Sequence, residues 1–577
     1  MENNPYSSCG VGFVCNVSGQ SNRQIVAWGI EAVKNLTHRG AVGADGKTGD
    51  GAGIVTEIPR KFFDSIIREL GLSVSDINNL AVGTFFLYGA REHEIDEVLT
   101  GYGFRTIGWR DVPTNDDALG KAALGTKPRI RQLLIDTEGV TLEERERKLF
   151  FARKAIEKKL INDVCIPSIS SKTILYKGLL VAPQLDRFYP DLKNDGFESA
   201  FCVFHQRFST NTLPEWCLAQ PFRVLGHNGE INTLQGNRNW VMALEKEVLK
   251  GFENSREILA PFVLDDESDS ASLDKIIEFL IHSGFSPEHA VNLCIPPAWE
   301  CMDLGAEERA FFEFSALLMS PWDGPAAIVF TDGDTVGAHL DRNGLRPLRY
   351  AMTEDGLLVC GSEAGMIDLQ GRTFLEKGRL GPGDTLSVDL RQGKIKKTDE
   401  ILRELASKNP YRDWIKNHRI GRTFESTVPP ELDKDLLRKQ IAFGYTIEEL
   451  QMLITTMAET GSELTYSMGD DTPIPPLAEK PQLLFRYFKQ RFSQVTNPAI
   501  DPIRERTVMS LFINLGGRKS FLRETPDQAR RFQIESPLLC ADHLAEIELS
   551  GMFKVRKVPI TYAKVANGLS AAVATLM

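Results

Sequence analysis

Cys9-Gly10-Val11-Gly12-Phe13 stands just behind a short N-terminal stub, and His38-Arg39-Gly40 follows it after a helix-length gap. A cysteine in this place becomes a self-sufficient catalyst if the residues before it are removed. The freed α-amino group, with a reference pKa of about 8, is then attached to the nucleophile and placed as its general base. The thiol has a reference pKa of about 8.5, so a neighbouring cation such as Arg39 would raise its reactive fraction at neutral pH. By itself Cys9 reads as a small buried residue of a first strand, since free cysteine is usually buried and inert. Residues much further along the chain reverse that reading.

At 577 residues the chain is too long for one ordinary core, and length alone implies roughly three or four domains. With 42% hydrophobic and 25% charged residues it has the composition of a globular protein. The formal net charge of −11 argues against a dedicated nucleic-acid or anionic-membrane surface. Lys394-Ile395-Lys396-Lys397 is too short a basic run to change that. Met1 to Ser8 carries neither a basic nor an apolar signal region, and no apolar run approaches the ~18 residues needed to span a bilayer. The nine cysteines are scattered and form no zinc or iron–sulfur spacing, so no metal is expected in this chain and a reducing cytoplasm fits best.

From Cys9 to about Val55 the residues read as strand, helix and then a Gly-rich turn at Gly49–Gly53. Residues 143–161 form a charged helix with Leu149, Phe150, Ala152 and Ala155 on its buried side. Strand-like runs follow at 173–182, 198–209, 326–333, 346–353 and 356–363. Paired short strands with few helices between them imply antiparallel sheets. A charged, Pro-punctuated stretch at 396–440 places a boundary near 423. Beyond it Thr446 and Glu449 form a capping box, and Gly461 closes the helix. Val565, Leu569, Val573 and Leu576 make an apolar stripe that stops at Met577 without a cap, as an interrupted domain would.

Three segments supply what cysteine acyl transfer needs. In His205-Gln206-Arg207-Phe208-Ser209-Thr210-Asn211-Thr212 the arginine can clamp an α-carboxylate in a bidentate fork, with a hydroxyl beside it. In His227-Asn228-Gly229-Glu230-Ile231-Asn232 the Asn amide and the Gly backbone N–H suit an oxyanion hole. In Ser268-Asp269-Ser270 the carboxylate can hold an α-ammonium. Taken singly, each has a plainer reading. Arg207 would be a paired surface arginine, Asn228-Gly229 a turn, and Asp269 the cap of a helix opening at Ala271. Jointly they describe a pocket for an α-amino acid whose side-chain carbonyl meets a thiolate. Gly46-Lys47-Thr48 fails as a phosphate loop because Ala41 stands where Gly is required, and Asp265 to Asp269 fails as a calcium loop because Ser270 does.

These motifs, with Ala44-Asp45 through Gly53 and Leu340-Asp341-Arg342-Asn343-Gly344-Leu345-Arg346-Pro347, resemble the N-terminal part of the glutamate synthase large subunit. Ser467 to Asp471 and Phe488 to Glu505 resemble the start of that family's central domain. The subset Cys9, Arg207, Asn228, Gly229 and Asp269 is shared with class II glutamine amidotransferases at large. The resemblance implies an α+β, four-layer αββα N-terminal-nucleophile hydrolase fold, followed by a partial α/β central domain. It implies a propeptide at 1–8, an amidotransferase domain at 9–422 and an incomplete central domain at 423–577. Cys9 would attack the L-glutamine amide, with Arg39 positioning its surroundings and Asn228 and Gly229 holding the oxyanion. Arg207, Phe208, Thr210, Asn211 and Asp269 would bind the substrate. The family continues into an FMN-binding barrel with a 3Fe–4S centre, where ammonia aminates 2-oxoglutarate, and neither cofactor is expected in this chain. A flavin-bearing C-terminal part or separate subunit is implied, with an electron-donating subunit or ferredoxin. Two rivals stand beside this reading: another class II amidotransferase with a different acceptor, and a non-catalytic scaffold or partner subunit.

Overall fold

Alternation along the first strand, Gly10–Asn16, sets the architecture. Val11, Phe13 and Cys15 enter one buried cluster and Val14 another, the period-two pattern of a strand covered on both faces. In this computed structural model the described residues are 8–207, 213–252, 256–265, 267–421, 434–461, 475, 477, 479, 513–534, 539, 541–556 and 564–576. The first strand lies inside a seven-stranded sheet in the order Phe374–Arg379, Arg349–Thr353, Leu357–Gly361, Gly10–Asn16, Phe201–Gln206, Ala52–Glu57, Thr173–Gly178. A five-stranded sheet runs Lys394–Lys397, Thr385–Asp389, Thr335–Leu340, Ala326–Thr331, Leu225–Gly229. Every pairing in both sheets is antiparallel, as the short alternating runs imply.

Val11, Phe13, Val55, Phe201 and Val203 of the first sheet pack with Ala327, Val329, Val336, Ala338 and Leu386 of the second. The outer face of the first sheet carries Val14, Ile54, Cys202 and Phe204 against Val26, Ile30 and Val33 of helix Arg23–Asn35. That helix starts where the Asn22 side chain accepts from the Ile25 N–H at 3.0 Å. The outer face of the second sheet buries Ala326, Ile328 and Phe330 against helices Asp269–His282 and Ala306–Leu318. Helix, sheet, sheet, helix is the four-layer αββα order of an N-terminal-nucleophile hydrolase. Gly12 is required by this packing: a Cβ there would fall 2.5 Å from the Cys360 carbonyl oxygen and 2.6 Å from the Phe204 ring.

A further four-stranded sheet, Arg105–Asp111, Arg129–Asp136, Leu80–Leu87 and Val164–Ser170, is absent from the expectations above. Its strand Leu80–Leu87 is buried at every position and reads as a continuous apolar run with no alternation to mark it. Helix Leu142–Lys159 covers it with Leu149, Ala152 and Ile156. The sulfurs of Cys165 and Cys217 are joined, a pairing that the scattered cysteines did not suggest.

Residues 513–534 pack in the same compact unit as residues 1–421. Ile420–Gly421 pairs in parallel with Phe532–Ile534, which pairs antiparallel with Ile513–Leu515, and Phe521 and Ala529 join the core around Phe311 and Tyr411. Residues 434–461 belong to a second unit, in which helix Leu436–Ala442 precedes the Thr446 capping box. There the Thr446 N–H donates to Glu449 Oε2 at 2.8 Å and the Glu449 N–H to Thr446 Oγ1 at 3.1 Å, while Gly461 ends the helix at φ 64°. Both features follow the sequence reading. Among the described residues no helix is long and apolar enough to cross a membrane.

Candidate active site

Cys9 precedes the first strand and is 8% exposed. The pairing Gly10 with Gln206 sets Arg207, at the end of the neighbouring strand, beside it. The Arg207 N–H donates to the Gly51 carbonyl at 2.8 Å, which ties the arginine to the Gly-rich turn. Burial pulls the Arg207 pKa down, and the charges of Cys9, Asp50, Asp269 and Glu215 oppose that pull. Arg207 is thus a buried guanidinium next to Cys9, of the planar forked shape that binds a carboxylate.

The second sheet contributes its edge. Asn228-Gly229 does not turn: it completes strand Leu225–Gly229, with Asn228 opposite Ala327 and Gly229 opposite Ala326. A Cβ on Gly229 would lie 1.8 Å from the Pro325 carbonyl oxygen, so close approach demands glycine here. The same carbonyl accepts from the Glu230 N–H at 2.9 Å. Asn228 is 1% exposed, and its Nδ2 finds no hydrogen-bond partner among the described residues. A buried amide donor left unpaired costs about 1–3 kcal/mol, which suits a group whose partner arrives with the substrate. The two sheets meet at His205, whose Nε2 lies 3.0 Å from the His227 carbonyl oxygen.

Asp269 opens the helix over this edge but does not cap it. Ser268 is the cap, accepting from the Ala271 N–H at 3.2 Å. The Asp269 carboxylate instead accepts from the Ile231 N–H at 2.9 Å and the Ser270 N–H at 2.6 Å. Arg39 donates through Nη1 to the Ser8 hydroxyl at 2.7 Å, and through Nε to Glu363, which His38 also meets at 2.7 Å. Arg39 thus holds the residue preceding Cys9. Phe208, Thr210 and Asn211 lie outside the described residues.

Supporting residues escaped the sequence reading. Lys177 sits within the apolar run of strand Thr173–Gly178, and its Nζ donates to the Cys217 and Ala219 carbonyls at 2.8 and 2.7 Å. Burial brings its pKa down to about 7. A lysine inside an otherwise apolar strand was the available signal. Asp274 accepts from the Val224 and Leu225 N–H groups at 3.0 and 3.2 Å, fixing the entry to strand Leu225–Gly229. Asp341, in the Leu340–Pro347 motif, accepts from the Ala326 N–H at 2.9 Å and so supports the strand opposite Gly229. Among the described residues no group of three or more His, Cys, Asp or Glu could hold a metal ion.

Residues 9–414 match the family model of class-II glutamine amidotransferases, and residues 438–577 that of the glutamate synthase central domain. The chain is 44% identical over 570 residues to ferredoxin-dependent glutamate synthase 2 of Synechocystis sp., covering 96% of this chain and 37% of that protein. It is 43% identical over 554 residues to the glutamate synthase (NADPH) large chain of Azospirillum brasilense, covering 92% and 36%. The chain thus spans little more than a third of the length of these relatives. A glutamine phosphoribosylpyrophosphate amidotransferase structure from B. subtilis aligns at 14% identity and a TM-score of 0.31, covering 67% of this chain and 48% of that one, too slight a likeness to bear on the fold.

Proposed function

Since the chain belongs to the class II glutamine amidotransferases, in their glutamate synthase branch, we propose that Cys9 hydrolyses the side-chain amide of L-glutamine. Loss of Met1 to Ser8 frees the Cys9 α-amino group. That amine takes the thiol proton as sulfur adds to the amide carbon. Asn228 Nδ2 and the Gly229 N–H receive the oxyanion. The protonated amine then passes its proton to the leaving nitrogen, ammonia departs, and water hydrolyses the γ-glutamyl thioester to glutamate. Arg207 clamps the α-carboxylate, Asp269 the α-ammonium, and Phe208, Thr210 and Asn211 complete the pocket. Arg39, gripped by Glu363, keeps the surroundings of the nucleophile in place.

The observation that carries this reading is the placement of Cys9 beside the buried Arg207 by the Gly10–Gln206 pairing, with Asn228 and Gly229 on the edge strand of the facing sheet. We divide the chain into a propeptide at 1–8, an amidotransferase domain at 9–422 and a central domain from 423, consistent with the match beginning at 438. Ammonia would serve the reductive amination of 2-oxoglutarate in an FMN- and 3Fe–4S-bearing part, with ferredoxin or an NADPH-linked subunit supplying electrons. No step above passes through either cofactor. A cytoplasmic setting agrees with the dispersed cysteines. A different acceptor, or a purely scaffolding role, is disfavoured by the central-domain match.

Intact-mass measurement before and after an electrophilic glutamine analogue tests the reading. Loss of residues 1–8 with one adduct on Cys9, and ammonia release abolished in Cys9→Ala, is the expected result. A full-length mass without adduct would overturn it.

A further inference from the structure

We propose that Ser270 and His227 are positioning residues that tie recognition of the substrate α-ammonium at Asp269 to alignment of the oxyanion donors. A glutamine-like amide lacking that ammonium would then be turned over slowly as well as bound weakly. This rests on the site reading above.

The bonds run in one direction. Asp269 can only accept as a carboxylate, so the Ser270 hydroxyl, 3.1 Å from Oδ1, donates to it. The Ser270 oxygen is then left to accept from His227 Nδ1–H at 2.8 Å. That sets the His227 tautomer and leaves Nε2 a bare acceptor, which has no partner among the described residues. An unpaired buried acceptor is a cost, tolerated here while Nδ1 is engaged.

The His227 backbone is held as firmly as its ring. Its N–H donates to Gln220 Oε1 at 2.9 Å, and its carbonyl accepts from His205 at 3.0 Å. Asp269 therefore grips both flanks of Asn228-Gly229. It reaches His227 through Ser270 on one side and Ile231 directly, through Oδ2 at 2.9 Å, on the other. Gly229 packs so closely on Pro325 that a Cβ there would fall 1.8 Å from the Pro325 carbonyl oxygen. Three of the roughly four acceptor positions of a carboxylate are filled by described residues, leaving about one for an ammonium. A bound ammonium compensates the carboxylate in this frame. Without it the uncompensated charge pulls on Ser270 and Ile231, and the donors between them lose their aim. A bond to a charged group is typically worth a factor of about ten to a hundred, and a positioning error in a site costs on the same scale.

The test compares two substrates in the full chain: L-glutamine, and glutaramate, the same five-carbon monoamide without the α-amino group. Ammonia release gives kcat and KM for each with the wild type, Ser270→Ala and Ser270→Thr. The wild type is expected to show a kcat at least about tenfold higher on glutamine. Ser270→Ala should lower kcat on glutamine by about tenfold, leave kcat on glutaramate within about twofold, and so erase the preference, while Ser270→Thr restores it. An equal loss on both substrates in Ser270→Ala would overturn the proposal and leave Ser270 a packing residue, as would equal wild-type kcat values. Wild-type protein that releases no ammonia from glutamine would overturn the site reading itself, and this inference with it. If Ser270→Ala does not fold, near-isosteric Ser270→Cys carries the same comparison.

Discussion

Removing the Asn228 amide should slow catalysis without weakening the fold. Asn228 is 1% exposed and its Nδ2 is unpaired among the described residues, so the donor stabilises nothing in the resting protein. Its burial unpaired costs about 1–3 kcal/mol. In the transition state the same N–H meets a full oxyanion, an interaction worth about 2.7–4 kcal/mol at one donor. At about 1.36 kcal/mol per tenfold in rate, Asn228→Ala should reduce kcat by about a hundred- to a thousandfold. KM should move by no more than about threefold, because the contact forms only as the oxyanion does. Relief of the unpaired donor offsets the packing lost with the side chain, leaving stability within about 1 kcal/mol and the melting midpoint within about 4 °C. Steady-state ammonia release and a thermal melt on the same preparation supply both numbers. A kcat loss below about tenfold, or a loss lodged wholly in KM, would refute the oxyanion role. A midpoint drop of more than about twice the expected limit would make Asn228 a structural residue.

Gly229→Ala should cost activity and stability together, since its Cβ would fall 1.8 Å from the Pro325 carbonyl oxygen and one strand must shift; a normal melt with near-normal kcat would count against that packing. Glu278 accepts from Arg153 at 2.7 Å and Arg223 at 2.9 Å in a buried network, so Glu278→Ala should destabilise by about 3–5 kcal/mol in denaturant titrations. Burial brings the His339 pKa down to about 4, against 6.5 for the free side chain. The unfolded chain therefore takes up this proton first as the pH falls, and stability is lost between pH 6.5 and 4, about 2 kcal/mol of it by pH 5. His339→Gln should flatten that part of the stability–pH curve, and an unchanged slope would show that another group titrates there.

The candidate site could be proposed from sequence because its residue types are local. Cys9, Arg207, Asn228, Gly229 and Asp269 each occur in a short segment whose composition matches one task. The antiparallel sheets were legible too, because short strand-like runs such as Gly10–Asn16 and Ala326–Thr331 follow one another between turn signals with few helices in between. Leu80–Leu87 was not, because period alone cannot separate such an apolar run from a buried helix segment and no turn pair like Asp332-Gly333 follows it. Lys177, Asp274 and Asp341 were hidden for another reason. Each acts on backbone groups tens of residues or more away, or just across a turn, and a carboxylate looks the same in sequence whether it meets water or an amide.

Residue order by itself determined which groups this protein can bring to a reaction and the family to which it belongs. Tertiary structure decided how those groups meet. Asn228-Gly229 is the strongest of short turn signals, yet pairing with Ala326 and Ala327 and the nearness of Pro325 hold it in a strand. Ser268, not Asp269, caps the helix, which leaves the Asp269 carboxylate to accept from Ile231, just beyond strand Leu225–Gly229. Local propensity is worth a few tenths of a kcal/mol to about one per residue, and burial between two sheets outweighs it.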